Sequence, residues 1–456
     1  MQKKKRALCW IRRDLRLNDH AALAAAAAFG DELVVCFNFD PKILNKLDRQ
    51  DRRLTFIHKS LEEIDQKLRE NGSQLLVRIG DPTEEIPKVA KALSIDAVFT
   101  NADYEPYAIS RDAKVHKGLQ SQGIAFHSFK DQVIFEKREI LNGSGESFKV
   151  YTAYKNAWLK AMRPEHYEEK KVRWKALLAA SEISSYNHEW SMKQIGFTPS
   201  PLWLEPGRTA ALKRLRAFLP KIHDYKKLRD IPSVDGTSGL SVHFRFGTLS
   251  VREAVRAVNN LDGEGPAAWL NELTWRDFYH MILANNPHVV GHSFKKELEG
   301  IVWPGKKEHF EAWCAGKTGF PIIDAAMRHF NTTGWMHNRL RMVVASFLTK
   351  DLLVDWRLGE DYFAKHLLDF DLAANNGGWQ WSASTGCDAQ PYFRIFNPYS
   401  QSERFDPDGA FIRSEVPELK LQGKKTIHCP DGILGYPLPI VDHSIQRAKA
   451  LALFKK

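Results

Sequence analysis

Short apolar runs alternate with longer stretches of helical composition along the first part of the chain. Five apolar runs have the length of buried strands: Ala7–Ile11, Glu32–Phe39, Gln74–Ile79, Ala97–Thr100 and Phe126–Phe129. Four stretches between them are predicted helices: Ala21–Phe29, Asp51–Glu70, Thr83–Leu93 and Ser110–Ser121. Alternating strands and helices are typical of a parallel sheet that is covered on both faces. Residues 1–135 are therefore predicted to be an α/β domain with a five-stranded, doubly wound sheet.

The pattern changes after the fifth predicted strand. Residues 136–201 are irregular, with a turn at Asn142–Gly145, and are predicted to be a connector with one short helix near Tyr154–Met162. Strand signals are scarce in the remainder, so residues 202–456 are predicted to be an all-helical domain.

Composition narrows the class of protein. Hydrophobic residues make up 43% of the chain and charged residues 27%, which is typical of a globular protein. No apolar run is long enough to span a membrane, and Arg12, Arg13 and Asp14 interrupt the apolar start, so neither a membrane segment nor a secretory signal is predicted. Five cysteines without a CxxC pair favour a reducing compartment, here the cytoplasm. The net charge of +11 is compatible with a nucleic-acid partner and equally with a solvated basic surface.

Tryptophan is concentrated in one part of the predicted helical domain. Eight of the 13 tryptophans lie there: Trp269, Trp275, Trp303, Trp313, Trp335, Trp356, Trp379 and Trp381. Such residues can form a core, a stacking platform for bases or a path for electrons, and each taken singly is most often part of a core.

Polar residues share helix faces with some of these tryptophans. One set with spacing i, i+3, i+4, i+7 is Glu272, Trp275, Arg276 and Tyr279. A second set with the same spacing is Trp335, Asn338, Arg339 and Met342. Helical spacing places each set on one face. A half-exposed amphipathic helix would explain either set alone, but two such sets favour the lining of a pocket.

Two further segments suggest a polar ligand. Asp369–Trp381 combines two acids, two asparagines and two glycines with apolar residues, as expected for hydrogen-bond partners of a buried ligand. The small-residue loop Thr237–Ser241 precedes a helical stretch and could hold a diphosphate, although helix caps are built from the same residues. The chain lacks GxGxxG, GxSxG, Walker A and HExxH motifs, and no metal site is predicted.

Longer motifs resemble the photolyase/cryptochrome family, and within it the bacterial cyclobutane pyrimidine dimer photolyases. The resemblance extends from Trp10–Leu17 to Tyr436–His443. Its most specific segments are Lys317–Pro321, Trp335–Met342, Asp369–Trp381 and Pro391–Pro398. The resemblance makes residues 1–135 the antenna domain, 136–201 the interdomain connector and 202–456 the FAD- and DNA-binding domain.

The resemblance implies FAD inside the helical domain. The residues it places at the cofactor are Tyr225, Thr237, Ser238, Gly239, Leu240, Ser241, Asn338, Arg341, Asp369, Phe370, Asp371 and Asn375. Among them, Arg341 would pair with Asp369, and Asn375 would face flavin N5.

The implied reaction is light-driven repair of a dimer that is flipped out of DNA. Excited FADH⁻ would donate an electron to the dimer, whose ring would split before the electron returns. Glu272, Met342 and Asn375 would act at the lesion and flavin, and the Met favours cyclobutane dimers over the 6-4 photoproduct, whose enzymes use histidines there. Residues expected at DNA are Arg229, Glu272, Trp275, Arg276, Tyr279, Asn338, Arg339 and Trp381.

The resemblance also assigns an electron chain and an antenna. Trp379 would lie beside the flavin, followed by Trp356 and by Trp303 nearest the surface. The pair Tyr107–Ala108 departs from the Asn–Glu pair of folate-binding members, so the antenna is left open between 8-hydroxy-5-deazaflavin, FMN, methenyltetrahydrofolate and none.

Two other functions are weighed against repair. A cryptochrome-like blue-light receptor is disfavoured by Asn375, Glu272 and Met342, and by the short stretch after His443. A helical DNA-binding module without chemistry leaves the tryptophan chain unexplained. The expected partner is DNA containing pyrimidine dimers, bound by a monomer without membrane association.

Overall fold

A computed structural model describes residues 4–174 and 176–455. The first part of the chain forms a five-stranded sheet: β1 (Arg6–Ile11), β2 (Glu32–Phe39), β3 (Leu76–Ile79), β4 (Ala97–Asn101) and β5 (Ala125–Phe129). The strand order is β3-β2-β1-β4-β5, and every neighbouring pair is parallel. The predicted fold class, a parallel doubly wound sheet followed by helices, is confirmed.

Helices connect the strands at the four predicted places, and a further one-turn helix, Pro41–Leu44, was not predicted. Those of the first 135 residues are Ala21–Phe29, Pro41–Leu44, Arg52–Arg69, Pro82–Ala92 and Pro106–Gln120. Asp51 and Asp81 cap two of them through side-chain bonds to backbone N–H groups. The last helix begins four residues before the predicted start because Pro106 takes its first position, where a missing N–H costs nothing.

Two expectations need correction. The fifth strand was expected to be buried, yet β5 is mostly exposed or half-buried because it forms the edge of the sheet. The connector was expected to hold one helix, whereas it contains Tyr151–Ala161, Pro164–Tyr167, Ala180–Ile183 and a 3₁₀ turn at Ser184–Tyr186. Helices of one turn carry too little periodicity to be predicted from a sequence.

The chain forms two compact units that do not follow sequence order. Of the described residues, the first comprises those within 4–140, 158–220 and 238–262, and the second those within 141–157, 221–237 and 263–455. The predicted domain boundaries at 135 and 201 stay a prediction, since compactness and functional domains need not coincide.

Within the first unit, a buried ion network ties the segment 238–262 to the sheet. Arg16 and Arg252 both bind Asp131, at 2.6 and 2.7 Å, and Arg252 also binds Asp19 at 2.9 Å. Burial alone would raise the pKa of Asp131, but the two guanidinium groups lower it well below its usual range. Further helices of this unit are Gly207–Phe218, Ser241–Arg245 and Val251–Val258.

The second unit is helical, with no strand among its described residues. Its helices are Tyr225–Leu228, Glu264–Asn285, Lys307–Ala315, Pro321–Thr333, Asn338–Ser346, Trp356–His366, Leu372–Ala383, Pro398–Phe405, Ala410–Glu415 and His443–Leu453. A π-helical turn, Phe347–Asp351, follows the fifth of these helices. Short 3₁₀ turns are Leu219–Asp224, which leads into this unit, Pro287–Val289, Lys296–Leu298, Pro417–Leu419 and Thr426–His428. In the described part of the chain, no helix is both long and apolar enough to cross a membrane.

Candidate functional site

The helix Leu372–Ala383 is the centre of the candidate site. It packs against the helices Glu264–Asn285, Asn338–Ser346 and Trp356–His366, all within the second unit. Gly377 permits one of these contacts, because a Cβ there would lie 2.1 Å from the ring of Tyr279. The three segments singled out in the sequence are thereby brought together.

A buried carboxylate lies just before this central helix. Asp369 is 6% exposed and accepts a hydrogen bond from Arg341 Nη2 at 2.7 Å, so the predicted pair is present. The other oxygen, Asp369 Oδ1, accepts no hydrogen bond from the described residues although it is buried. A buried oxygen without a donor is costly unless a ligand supplies one.

Asp371 and Phe370 follow, and Asp371 has a structural role of its own. Its side chain caps the central helix by accepting a hydrogen bond from Ala374 N at 3.2 Å. Its other oxygen, Oδ2, lies 3.6 Å from Nε2 of His280. Phe370 is half-buried against the core of the unit.

Asn375 lies in the first turns of the central helix, largely buried. Its Nδ2 donates to the backbone oxygen of Glu360 at 3.1 Å, and its Oδ1 accepts no hydrogen bond from the described residues. The next residue, Asn376, donates to Glu360 Oε1 at 2.9 Å. Burial raises the pKa of Glu360 to about 7 even though this hydrogen bond lowers it. Glu360 therefore fixes the orientation of both amides.

A second polar group faces the site from the long helix Glu264–Asn285. Glu272 Oε1 accepts a hydrogen bond from Arg229 Nη1 at 2.5 Å, and Oε2 accepts none from the described residues. The Arg229 guanidinium also lies over the Tyr225 ring, 5.2 Å from its centroid. Burial would lower the pKa of Arg229, but the charge of Glu272 raises it overall. One oxygen is thus anchored while the other is available to a ligand.

Trp275 lies one helical turn beyond Glu272, and its ring is already stacked. Tyr151 lies 3.5 Å from it, centroid to centroid, with an angle of 7° between the rings. The Tyr151 hydroxyl donates to Asn271 O at 2.9 Å, which fixes the position of the tyrosine ring. Trp275 and Tyr279 are half-buried, so the predicted face Glu272, Trp275, Arg276 and Tyr279 exists on one continuous helix.

The second predicted face is only partly present, which corrects the expectation for Trp335. The helix Pro321–Thr333 ends at Gly334, whose φ of 71° is left-handed, and the next helix begins at Asn338. Trp335 lies in the turn between them and therefore does not share a helix face with Asn338 and Met342. His337 caps the new helix by accepting from Arg339 N at 3.2 Å.

The other residues of this face have their own contacts. Arg339 donates to Asp230 Oδ1 at 3.2 Å and lies 4.2 Å over the ring of Phe405. Asn338 is exposed, and Met342 is half-buried at the next turn of the same helix. Trp381, on the central helix, is half-buried.

The loop Thr237–Ser241 is shaped by close packing at Gly239 and at Gly236, which directly precedes it. Gly236 lies against Leu228, where a Cβ would be 2.6 Å from the leucine Cβ. Gly239 has a φ of +57°, and Arg214 lies directly beside it and donates from Nε to Ser238 O at 2.9 Å. The following helix, Ser241–Arg245, is short, and the unit boundary falls between Thr237 and Ser238.

The three predicted chain tryptophans differ in exposure. Trp356 and Trp379 are buried, at 0% and 3%, whereas Trp303 is half-buried. Gly359 permits the contact of Trp379 with the helix Trp356–His366, because a Cβ there would lie 2.2 Å from the Trp379 ring. Trp356 Nε1 has no hydrogen-bond acceptor among the described residues.

The carboxyl edge of the sheet in the first unit carries a separate aromatic and charged cluster. The guanidinium groups of Arg12 and Arg111 both lie over the Trp10 ring, 4.7 and 5.1 Å from its centroid. Tyr107 donates from its hydroxyl to Asp40. Trp10 Nε1 is buried without an acceptor among the described residues. This edge is where ligands bind in doubly wound sheets.

Several site residues were missed by reasoning from the sequence. Tyr151, Asp230 and Glu360 each hold a predicted site residue in place, yet they lie 124, 109 and 15 positions away from Trp275, Arg339 and Asn375. Helical spacing reports neighbours within one helix and gives no signal for such distant partners.

Comparisons with known proteins agree with this geometry. The family model "DNA photolyase" matches residues 7–173, and "FAD binding domain of DNA photolyase" matches residues 269–456. The deoxyribodipyrimidine photo-lyase of Synechococcus sp. is 39% identical, over 98% of this chain and 96% of that protein. The deoxyribodipyrimidine photo-lyase of Escherichia coli K12 is 40% identical, over 98% of both chains.

Solved structures give the same result. The class III photolyase of Agrobacterium tumefaciens superposes with a TM-score of 0.88 at 31% identity, covering 100% of this chain and 98% of the other. The photolyase of Sulfolobus tokodaii, solved with two FAD molecules, gives 0.86 at 35% identity, covering 99% of both chains. The protein therefore belongs to the DNA photolyase family. Within that family, its curated relatives named above are deoxyribodipyrimidine photo-lyases.

The residues of the second unit fit a flavin nucleotide. Asp369 Oδ1 is a buried acceptor that needs a donor, and FAD carries several, on its ring, ribityl chain and adenine. Gly378 borders open space, since a Cβ there would meet nothing within 4 Å. A polar ligand therefore has both a hydrogen-bond partner and room along this segment.

Proposed function

We propose that this chain is a deoxyribodipyrimidine photo-lyase whose Glu272, Trp275 and Asn375 act on a cyclobutane pyrimidine dimer flipped out of DNA. The observation that carries the proposal is the half-anchored carboxylate of Glu272. Arg229 holds one oxygen at 2.5 Å and the other is left for a ligand, on a helix that packs directly against the helix of Asn375. A carboxylate oriented in this way can accept a hydrogen bond from the edge of a flipped base.

The aromatic residues of the same face support the proposal. Trp275 is held flat by Tyr151, and Trp381 is half-buried on the central helix. Flat aromatic surfaces bind flipped bases by stacking, which contributes about 1–3 kcal/mol per base. Trp275 is thus fixed in orientation before the lesion arrives, so less ordering accompanies binding.

FAD, when bound and reduced, supplies the photoexcited electron that splits the dimer. Asp369 and Arg341 would hold the cofactor, together with Tyr225 and Asp371 of the same unit. Asn375, with its Nδ2 fixed by Glu360, would present an amide without adding charge. An electrically neutral partner suits a cofactor that must remain in its anionic reduced form.

The tryptophans would serve reduction of the cofactor. The change from buried Trp379 and Trp356 to half-buried Trp303 supports the predicted direction from the inside to the surface. The antenna remains part of the proposal, with 8-hydroxy-5-deazaflavin, FMN, a folate or none as alternatives at the edge cluster of Trp10, Arg12 and Tyr107. Action as a monomer in the cytoplasm is also proposed. The five free cysteines support the reducing compartment.

The experiment is repair of an oligonucleotide with a single thymine dimer by purified protein with bound flavin, in light and in the dark. Repair in the light alone is expected, and Glu272→Ala should lower the repair yield while leaving the flavin bound. Glu264→Ala is a matched control, since it removes an exposed carboxylate on the same helix that pairs with Lys226 instead. If protein that carries reduced flavin repairs the dimer neither in the light nor in the dark, the proposal is overturned.

A second candidate function comes from one comparison. The Synechocystis cryptochrome superposes with a TM-score of 0.86 at 25% identity, covering 99% of this chain. A light-dependent change in the flavin absorbance without any dimer repair in the same assay would favour a blue-light receptor.

A further inference from the structure

A surface cleft opens beside Trp303 in the second unit. Its volume is about 340 Å³, the size of a site for one small ring-shaped ligand. Trp303 forms part of the wall and is half-buried, so its ring is reachable from the cleft. In the function proposed above, Trp303 is the tryptophan of the electron chain nearest the surface. The cleft itself has no role in that function.

The wall of the cleft is mostly apolar. Ile301, Phe310, Val354 and Leu358 contribute to it, and Leu358 is 49% exposed. The neighbouring Val302 is 75% exposed. Exposed apolar side chains grouped beside an aromatic ring are typical of a binding surface. An aromatic ligand would bury this surface and could stack on Trp303.

The charges at the cleft favour an anion. Lys306 forms no ion pair with a described residue, and Lys307 has only a 3.5 Å contact with Glu311 in which both side chains are more than 60% exposed. Such a pair is weak because solvent screens it. The single acid of the wall, Asp355, is engaged by Arg357 through its N–H at 3.0 Å and its Nη1 at 3.3 Å.

We propose that this cleft binds a small anionic aromatic reductant, a phenol or catechol that bears a carboxylate, and that the ligand returns one electron to Trp303. The proposal rests on the function proposed above, in which Trp303 loses one electron inward along the chain. The ligand donates one electron to oxidised Trp303 and releases its phenolic proton to solvent, becoming a phenoxyl radical. Trp303 is restored, and no bond to the protein forms or breaks.

The test uses 3,4-dihydroxybenzoate as the probe and follows the decay of oxidised Trp303 after a light flash. A bound donor predicts that the decay rate saturates with probe concentration. Catechol, which has the same redox group without the carboxylate, should give a weaker and non-saturating response. Benzoate, which binds but does not donate, should compete. A rate that rises linearly with probe at all concentrations, equally for both donors, would show simple collision and overturn the proposal.

Charge variants locate the site. Lys306→Glu combined with Lys307→Glu should raise the half-saturating concentration about fivefold or more, since two favourable charges become repulsive. Lys420→Glu combined with Lys425→Glu makes the same change in net charge at exposed positions elsewhere in this unit and should leave it unchanged. Equal effects of the two double variants would contradict a local site.

A dark measurement separates this proposal from the proposed function. Saturation-transfer NMR of 3,4-dihydroxybenzoate on the resting protein should show binding that Lys306→Glu with Lys307→Glu weakens. Absence of that binding overturns the cleft as a ligand site, whatever the flash experiment shows. Unchanged photoreduction in Trp303→Phe would instead refute the electron chain, and with it the electron transfer proposed here.

Discussion

The anchored carboxylate of Glu272 gives the most specific prediction. Replacing Glu272 by Ala removes the oxygen that is free for the lesion and leaves Arg229 without its partner. The two side chains are 31% and 21% exposed, between the surface and the buried cases. We therefore expect a loss of about 1–2 kcal/mol in the free energy of unfolding.

The effect on lesion binding should be larger than the effect on folding. A hydrogen bond to a charged group contributes about 1.5–3 kcal/mol, which corresponds to about 10- to 100-fold weaker binding of the dimer. Glu272→Gln keeps the shape and an acceptor oxygen but loses the charge, so about 2- to 10-fold is expected. Affinity for undamaged DNA should change little, because phosphate contacts dominate non-specific binding.

The assay is fluorescence anisotropy with an oligonucleotide that carries one thymine dimer, with the undamaged oligonucleotide in parallel. Thermal unfolding of each variant controls for stability, and flavin absorbance controls for cofactor content. The reasoning is refuted if Glu272→Ala binds the dimer as tightly as the parent protein. Equal losses for damaged and undamaged DNA would refute it as well.

Two other changes test separate parts of the site, and a third tests the buried lysine of the π-helical turn Phe347–Asp351. Asp369→Asn should lower the flavin content and cost about 2 kcal/mol of stability, because Arg341 loses its partner; the ratio of flavin to protein absorbance and the unfolding midpoint check this. Asn375→Ala should lower the one-electron reduction potential of the flavin by about 40 mV, which corresponds to the loss of one hydrogen bond of about 1 kcal/mol. A redox titration that shows no shift would count against this role of Asn375. Lys350 is buried, and burial lowers its pKa from 10.5 to about 7. Lys350 therefore carries fewer protons in the folded state than in the unfolded state between these values, so its own contribution to stability should rise with pH from about 7 to 10. Above pH 9 buried thiols oppose this rise, as at Cys36, where burial raises the pKa to about 12. Lys350→Met should stabilise the protein below pH 7 by about 2 kcal/mol and flatten that rise, as measured by thermal unfolding across this pH range.

The strands and the helices between them could be predicted from the sequence because buried elements require apolar residues in a recognisable pattern. β2 begins and ends where predicted, since its apolar run is covered on both faces. The position of β5 at the sheet edge could not be predicted. An edge strand and a central strand differ in the number of strands they pair with, and the local sequence does not show that number.

The site was predictable where it lies on one helix. Glu272 and Trp275 share a face as their spacing indicates. The prediction for Trp335 was wrong because Gly334 ends the helix with a left-handed φ. The glycine itself was the available sequence signal for a helix end, and the regular spacing of Trp335, Asn338 and Met342 was preferred to it.

Pairings between distant segments could not be predicted. Arg229 lies 43 residues from Glu272, and Tyr151 lies on a helix that the sequence placed in a connector. Tertiary packing creates the contact of Arg229 with Glu272 and that of Tyr151 with Trp275. Only the three-dimensional structure shows that one oxygen of Glu272 already accepts a hydrogen bond from Arg229.

The measurement that tests the central claim most directly is the fate of a single thymine dimer under blue light with protein that carries reduced flavin. Restoration of two intact thymines in the light, with none in the dark and a marked loss in Glu272→Ala, is the predicted result. A dimer that remains intact in the light, although flavin is bound and the oligonucleotide is held, would contradict the account.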